Sequence, residues 1–91
     1  MARPRRQAYV FESRRRPSRG FTYLKMRQLP EALADYDAAL KVDPGQATAL
    51  FGRGVVRRQM GDVSGGEADI AAAIAIDASV AGRLARRGVV P

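Results

Sequence analysis

Slid along itself by 34 residues, this chain meets its own pattern, and that period limits its fold more than any other feature. Arg19-Gly20 falls on Arg53-Gly54 and, one step further, on Arg87-Gly88. Met26 falls on Met60, Ala34-Asp35 on Ala68-Asp69, and Ala38-Ala39 on Ala72-Ala73. Leu40 meets Ile74, Val42 meets Ile76 and Asp43 meets Asp77. The matches recur at packing, turn and cap positions. A helix–turn–helix unit of this length cannot hide its apolar stripe alone, so the period predicts stacked units rather than a closed bundle.

Helical periodicity supplies the units. Ala32, Leu33, Tyr36, Ala39 and Leu40 share one face of a predicted helix over 30–42, while Glu31, Asp35, Asp37 and Lys41 turn mostly away. Pro30 suits a first turn, where a missing N–H costs nothing, and Asp43-Pro44-Gly45 ends the helix. A preceding helix is expected over 18–27 with Phe21, Leu24 and Met26 inward. A third is expected over 46–60, with Ala47, Leu50, Phe51, Gly54 and Val55 inward, before a turn at Gly61-Asp62. A fourth is predicted over 64–76 with Ile70, Ala73, Ile74 and Ile76 inward, and a last over 79–87 with Val80 and Leu84. No segment alternates with period two, so no sheet is expected.

Charge divides the chain. Residues 1–27 carry eight arginines and Lys25 against Glu12, a balance of +8, and residues 28–91 carry seven basic and eight acidic side chains, a balance of −1. Residues 1–17 therefore read as a basic, disordered arm with Pro4 and Pro17, ahead of helix pairs at 18–44 and 45–78 and a partial third unit or capping helix at 79–91.

The spacing of a glycine, an aromatic three residues later, then alanine, aromatic and proline runs through Gly20, Tyr23, Ala32, Tyr36 and Pro44. In these positions the chain resembles tetratricopeptide repeat (TPR) proteins, over about residues 13–91. The second copy is degraded, reading Gly54, Arg57, Gly66, Ile70 and Ala78, but keeps the Gly61 turn; Ala39 and Ala73 are matching small positions. The third breaks off after Leu84 and Gly88. The resemblance implies an all-α fold, a right-handed α-solenoid of antiparallel helix pairs. Arg16 and Pro17 depart from the pattern, where a large apolar residue and a helix already under way are usual.

Arginine and aspartate both recur at the period, which leads to an expectation of pairing. Asp35 and Asp69 would meet arginines either within a unit, as Arg19 with Asp35, or between units, as Asp35 with Arg53 and Asp69 with Arg87.

Chemistry has little to work with. The chain has no histidine and no cysteine, which removes the usual general base, the thiolate nucleophile and the commonest metal ligands. Ser64-Gly65-Gly66-Glu67 lacks the lysine of a phosphate-binding loop. The chain is read as a non-enzyme with no catalytic, cofactor or metal site and no small-molecule substrate. No leader and no apolar run of about 20 residues is evident, so the expected location is cytoplasmic.

What the resemblance implies for function is a protein-interaction module that takes a peptide or helix in the concave groove made by the first helix of each unit. Here that face would comprise Phe21, Leu24 and Lys25, then Thr48, Phe51, Gly52, Val55, Arg58 and Gln59, then Ala85 and Arg86. Phe21 and Phe51 would anchor, unless they are ordinary core, and Arg58 and Arg86 would favour an acidic partner. The lysine–asparagine pattern of chaperone-tail-binding members is missing, with Pro17, Phe21 and Gly52 in its place. Two alternatives stay open: nucleic-acid or anionic-surface binding through the arm, and a fragment of a longer TPR scaffold, with self-association a corollary.

Overall fold

The computed structural model of the chain describes residues 17–91. Of the expected arm only Pro17 is described, and it is buried inside the first helix rather than ahead of it; the remainder of that expectation lies outside the described residues. All regular structure among the described residues is α-helical: α1 (residues 17–25), α2 (Leu29–Val42), α3 (Ala47–Gln59), α4 (Val63–Ile76) and the short α5 (Val80–Ala85).

The turns repeat as the sequence does. At the end of α1 the N–H of Gln28 donates to the carbonyl of Tyr23 (2.8 Å) and that of Arg27 to Leu24 (3.0 Å), with Arg27 at φ 61°. At the end of α3 the N–H of Asp62 donates to Arg57 (2.8 Å) and that of Gly61 to Arg58 (3.1 Å), with Gly61 at φ 96°. Both are left-handed C-terminal caps that satisfy otherwise orphan carbonyls. Glycine adopts this conformation freely, whereas Arg27 bears a Cβ penalty of about 1 kcal/mol. The alternate turns use aspartate. Asp43 Oδ1 accepts from the N–H of Gly45 (3.3 Å), and Asp77 Oδ1 accepts from the N–H (3.0 Å) and hydroxyl (2.7 Å) of Ser79. The Ser79 contacts, hydroxyl first, hold the Asp77 carboxyl below its ordinary value. Asp62 opens α4 by accepting from the N–H of Gly65 (2.9 Å).

Helix α3 is the centre of the molecule, with Ala47, Ala49, Leu50, Phe51, Gly52, Gly54, Val55 and Val56 all buried. Its crossing with α4 depends on two glycines. A Cβ on Gly54 would stand 2.7 Å from the Gly66 carbonyl oxygen, and one on Gly66 would stand 2.5 Å from that of Gly54. Backbone meets backbone there, so neither side can yield by rotating a side chain. On the other side of α3 the Tyr36 ring fills the space between α1 and α3: a Cβ on Gly20 would come within 3.1 Å of it, and one on Gly52 within 2.3 Å. Ala32, Ala39 and Ala73, all fully buried, are small where helices approach, and Tyr23 and Ile70 pack half-buried against the same core. Pro44 lies exposed in the α2–α3 turn.

Helix α4 departs from expectation. Ile74 and Ile76, expected inward, are 41% and 53% exposed, and its inward side is made instead by Gly66, Asp69, Ile70 and Ala73. An Ala- and Ile-rich segment is apolar all round, so periodicity cannot choose its face; the Gly54–Gly66 crossing does. Helix α5 also ends sooner than expected. The N–H groups of Gly88 and Val89 donate to Ala85 and Leu84 (both 2.9 Å) in a third left-handed cap, with Gly88 at φ 90°, and Val89 is buried beside Leu84.

Candidate functional site

The recurrent arginines and aspartates pair within units. Arg19 Nε and Nη2 donate to the two oxygens of Asp35 (both 2.7 Å), and Arg53 Nε and Nη2 donate to those of Asp69 (2.8 and 2.9 Å). Each aspartate is buried, and each pair spans the same 16 residues. The between-unit alternative is not adopted by the residues expected. Arg53 reaches back to Asp37 (3.0 Å) rather than Asp35, and Asp69 takes Arg57 (3.0 Å) rather than Arg87. The Asp69 hydrogen bond, and behind it that of Asp37, raises the Arg53 guanidinium above its ordinary value. Burial does the same to the Tyr36 phenol, with the charge of Asp35 adding to it. The ion pairs hold α1–α2, α2–α3 and α3–α4 together, and none of their side chains lines the two concavities described next.

The openings lie elsewhere, between the first and last described helices. Pro17, Ser18 and Phe21 of α1, Thr48 near the start of α3, Leu84 of α5 and Arg87 in the turn beyond it line a cavity of about 120 Å³, completed by Tyr36 and Gln46. A second concavity of about 300 Å³ shares Thr48, Leu84 and Arg87 and adds Arg83 and Arg86. Lys25 closes the arrangement: its ammonium donates to the Arg87 carbonyl (3.3 Å) and sits 5.6 Å over the Phe21 ring. The last residues are thus drawn from α3 towards α1.

This closure sorts the expected groove residues. Phe21 is half-buried at the cavity, Lys25 is exposed at its edge, Thr48 lines both concavities, and Arg86 lines the larger one. Phe51 and Val55 are corrected: each is 1% exposed, in the core with Val80, Leu84 and Val89, so neither anchors a ligand on this surface. Leu24 and Gly52 are buried too, the latter against Tyr36. Arg58 belongs to a different surface. Its stem passes over Gly66 and its Nη1 donates to Glu67 (3.4 Å), so it serves the α3–α4 contact. Gln59 is exposed, outside either concavity. Sequence reasoning missed Gln46 and Leu84 as lining residues, and placed Arg87 against Asp69. The sequence signal for Gln46 is faint, a polar residue at the start of α3; only the structure shows that its side chain makes no capping bond. Among the described residues no three acidic side chains gather as a metal would require, and no described helix is long and apolar enough to cross a membrane.

Residues 19–61 match the family model for the TPR repeat. That stretch takes in most of the described α1, all of α2 and α3, and the Gly61 turn. Comparison with curated proteins and with solved structures returned no match. With helix pairs recurring at 34 residues, small residues at their crossings and the match over the first pair and the helix after it, residues 19–61 carry a tetratricopeptide repeat and the rest of the chain is similar to it in pattern.

Proposed function

We propose that the chain is a non-catalytic protein-interaction module that holds an extended peptide against the side formed by α1, the start of α3 and α5. The observation that carries this is the pair of joined concavities over Thr48, walled by Phe21 and Leu84 and edged by Lys25, Arg86 and Arg87. Phe21 offers an aromatic anchor that is only half-buried, and the basic edge favours an acidic partner. Phe51 and Val55 serve from beneath, as the packing that fixes Thr48 and Leu84.

The test is a peptide selected from a random library against the full chain, with affinities measured by calorimetry. Phe21→Ala and Thr48→Arg should each weaken binding by about tenfold or more, which is roughly 1.4 kcal/mol, with helical circular dichroism unchanged. Replacing Arg3, Arg5, Arg6, Arg14, Arg15 and Arg16 by glutamine should leave the affinity within about twofold. Affinity that survives both groove variants refutes this reading. Affinity that collapses in the arm variant and falls steeply with salt would move the function to the arm and an anionic partner.

A further inference from the structure

We propose that the outward face of α4 is a self-association surface, on which two copies of this chain meet with their α4 helices antiparallel about a two-fold axis near Ala71. None of the residues on that face lines either concavity, so it stands apart from the peptide reading.

The starting point is a helix that is apolar on two sides. Gly66, Asp69, Ile70 and Ala73 turn α4 onto the core. At about 100° per residue, Val63, Glu67, Ala68, Ala71, Ile74 and Ala75 share the opposite arc, about 140° wide. All six are exposed, Val63 at 48% and Ile74 at 41%. Glu67 is the one charge in that arc, and it already accepts from Arg58 (3.4 Å). Helix α5 spans only six residues and leaves the arc open. A single exposed apolar side chain is ordinary, whereas a contiguous strip marks a contact surface.

The first helix pair shows what a water-facing helix carries at these positions. Helix α2 has Asp37 and Lys41 in the middle of the arc, and 34 residues on α4 has Ala71 and Ala75. Asp37 holds Arg53 (3.0 Å) and Lys41 lies in water. Neither charge has a counterpart on α4, and no described element covers the alanines that stand in their place.

Charge selects the occupant. The chain carries a formal +7, so two copies repel wherever their basic surfaces meet. Residues 62–78 contain no basic side chain, and the acids among them are engaged within the fold. Asp62 caps α4, Asp69 holds Arg53 and Arg57, Glu67 holds Arg58, and Asp77 holds Arg83. Two copies therefore approach along this near-neutral strip at the least electrostatic cost, and a strongly charged partner finds no counter-charge on it. A two-fold axis at Ala71 sets Ile74 of each copy over Ala68 of the other, a large side chain on a small one. The antiparallel sense keeps the two Glu67 carboxylates about 12 Å apart along the helix, where a parallel pair would set them side by side.

Size sets the strength. A helix of 14 residues is about 21 Å long and about 10 Å across, so each copy contributes a few hundred Å², below the ~800 Å² per partner of tight complexes. The pair is accordingly weak and concentration-dependent.

The experiment is sedimentation equilibrium of the full chain from roughly 10 µM to 1 mM. Average mass should rise towards that of two chains and stop there. Added salt should preserve or tighten the association, because apolar contact persists while like-charge repulsion is screened. Ala71→Asp/Ala75→Lys gives α4 the two charges that α2 carries at the same positions. Helical circular dichroism should be kept in that variant, while association weakens by about tenfold or more. The chain has no cysteine, so Ala71→Cys places a lone thiol at the axis. With oxidised glutathione it should form a covalent dimer about tenfold faster than Ala34→Cys, which puts a thiol on the exposed side of α2. A chain that stays monomeric at the top of that range overturns the proposal, as do equal cross-linking rates or association that survives the double variant. Association that salt dissolves overturns it too, and assigns the contact to the basic residues 1–17. Mass that climbs past two chains also overturns it, since a two-fold pair closes at two.

Discussion

Removing Asp69, Asp35 and Asp37 one at a time separates a buried charge network from surface decoration. Asp69 is 7% exposed and accepts three charged hydrogen bonds, from Arg53 Nε and Nη2 and from Arg57 Nη1. Stripping the partner from a buried pair costs about 3–5 kcal/mol. Here Arg53 keeps Asp37, and the Arg57 side chain, 32% exposed, regains water in part. Asp69→Ala should therefore cost about 2–3 kcal/mol. Asp35 is as deeply placed, but its partner Arg19 has a side chain 58% exposed that rehydrates readily, so Asp35→Ala should cost about 1 kcal/mol. The Asp37 side chain is itself 49% exposed and Arg53 retains Asp69 without it, so Asp37→Ala should cost at most about 0.5 kcal/mol. For a domain of this size 1 kcal/mol moves the melting point by roughly 4–8 °C. Thermal and urea unfolding followed by helical circular dichroism should accordingly rank the variants Asp69, then Asp35, then Asp37. Added salt should erase the Asp37 effect and spare most of the Asp69 effect. Equal losses for Asp69→Ala and Asp37→Ala would refute the reasoning. So would a double-mutant cycle of Arg53→Ala with Asp69→Ala that yields less than about 0.5 kcal/mol of coupling.

Two further predictions concern packing and pH. Gly54→Ala drives a methyl into the Gly66 carbonyl and should lose about 2 kcal/mol or more, whereas Gly82→Ala, in a helical site with open space around it, should gain about 0.5–1 kcal/mol; urea midpoints moving in the same direction would disprove the backbone crossing. Because the folded state raises the Tyr36 phenol above its ordinary value of 10.0, the stability it contributes is complete below that pH and is lost as pH rises beyond it. Tyr36→Phe should flatten the alkaline decline in urea midpoint between pH 9 and 11, and an unchanged slope would count against the buried phenol as its source.

Much of this molecule can be read along its sequence because the controlling forces are local. The helix spans follow from apolar spacing with Pro30, Asp43-Pro44-Gly45 and Gly61-Asp62 as punctuation, and each observed helix lies within two residues or so of its expected bounds. Within-unit pairing of Arg19 with Asp35 and Arg53 with Asp69 follows from the period, since a repeated helix pair places the same two positions together in each copy. The candidate binding surface is less legible. Phe51 and Val55 share a helical stripe with Thr48, and periodicity cannot say whether a stripe meets a ligand or the next helix.

The sequence alone decided that helices pair at a 34-residue interval, because a repeated stripe can be buried only by a repeated neighbour. Tertiary structure alone decided which cations remain available. Gly88 ends α5 early, Lys25 takes hold of the Arg87 carbonyl, and Arg87 thereby lines the larger concavity while Asp69 is satisfied by Arg53 and Arg57. That outcome depends on contacts 62 residues apart, where loop closure and shape, rather than spacing along a helix, choose the partner.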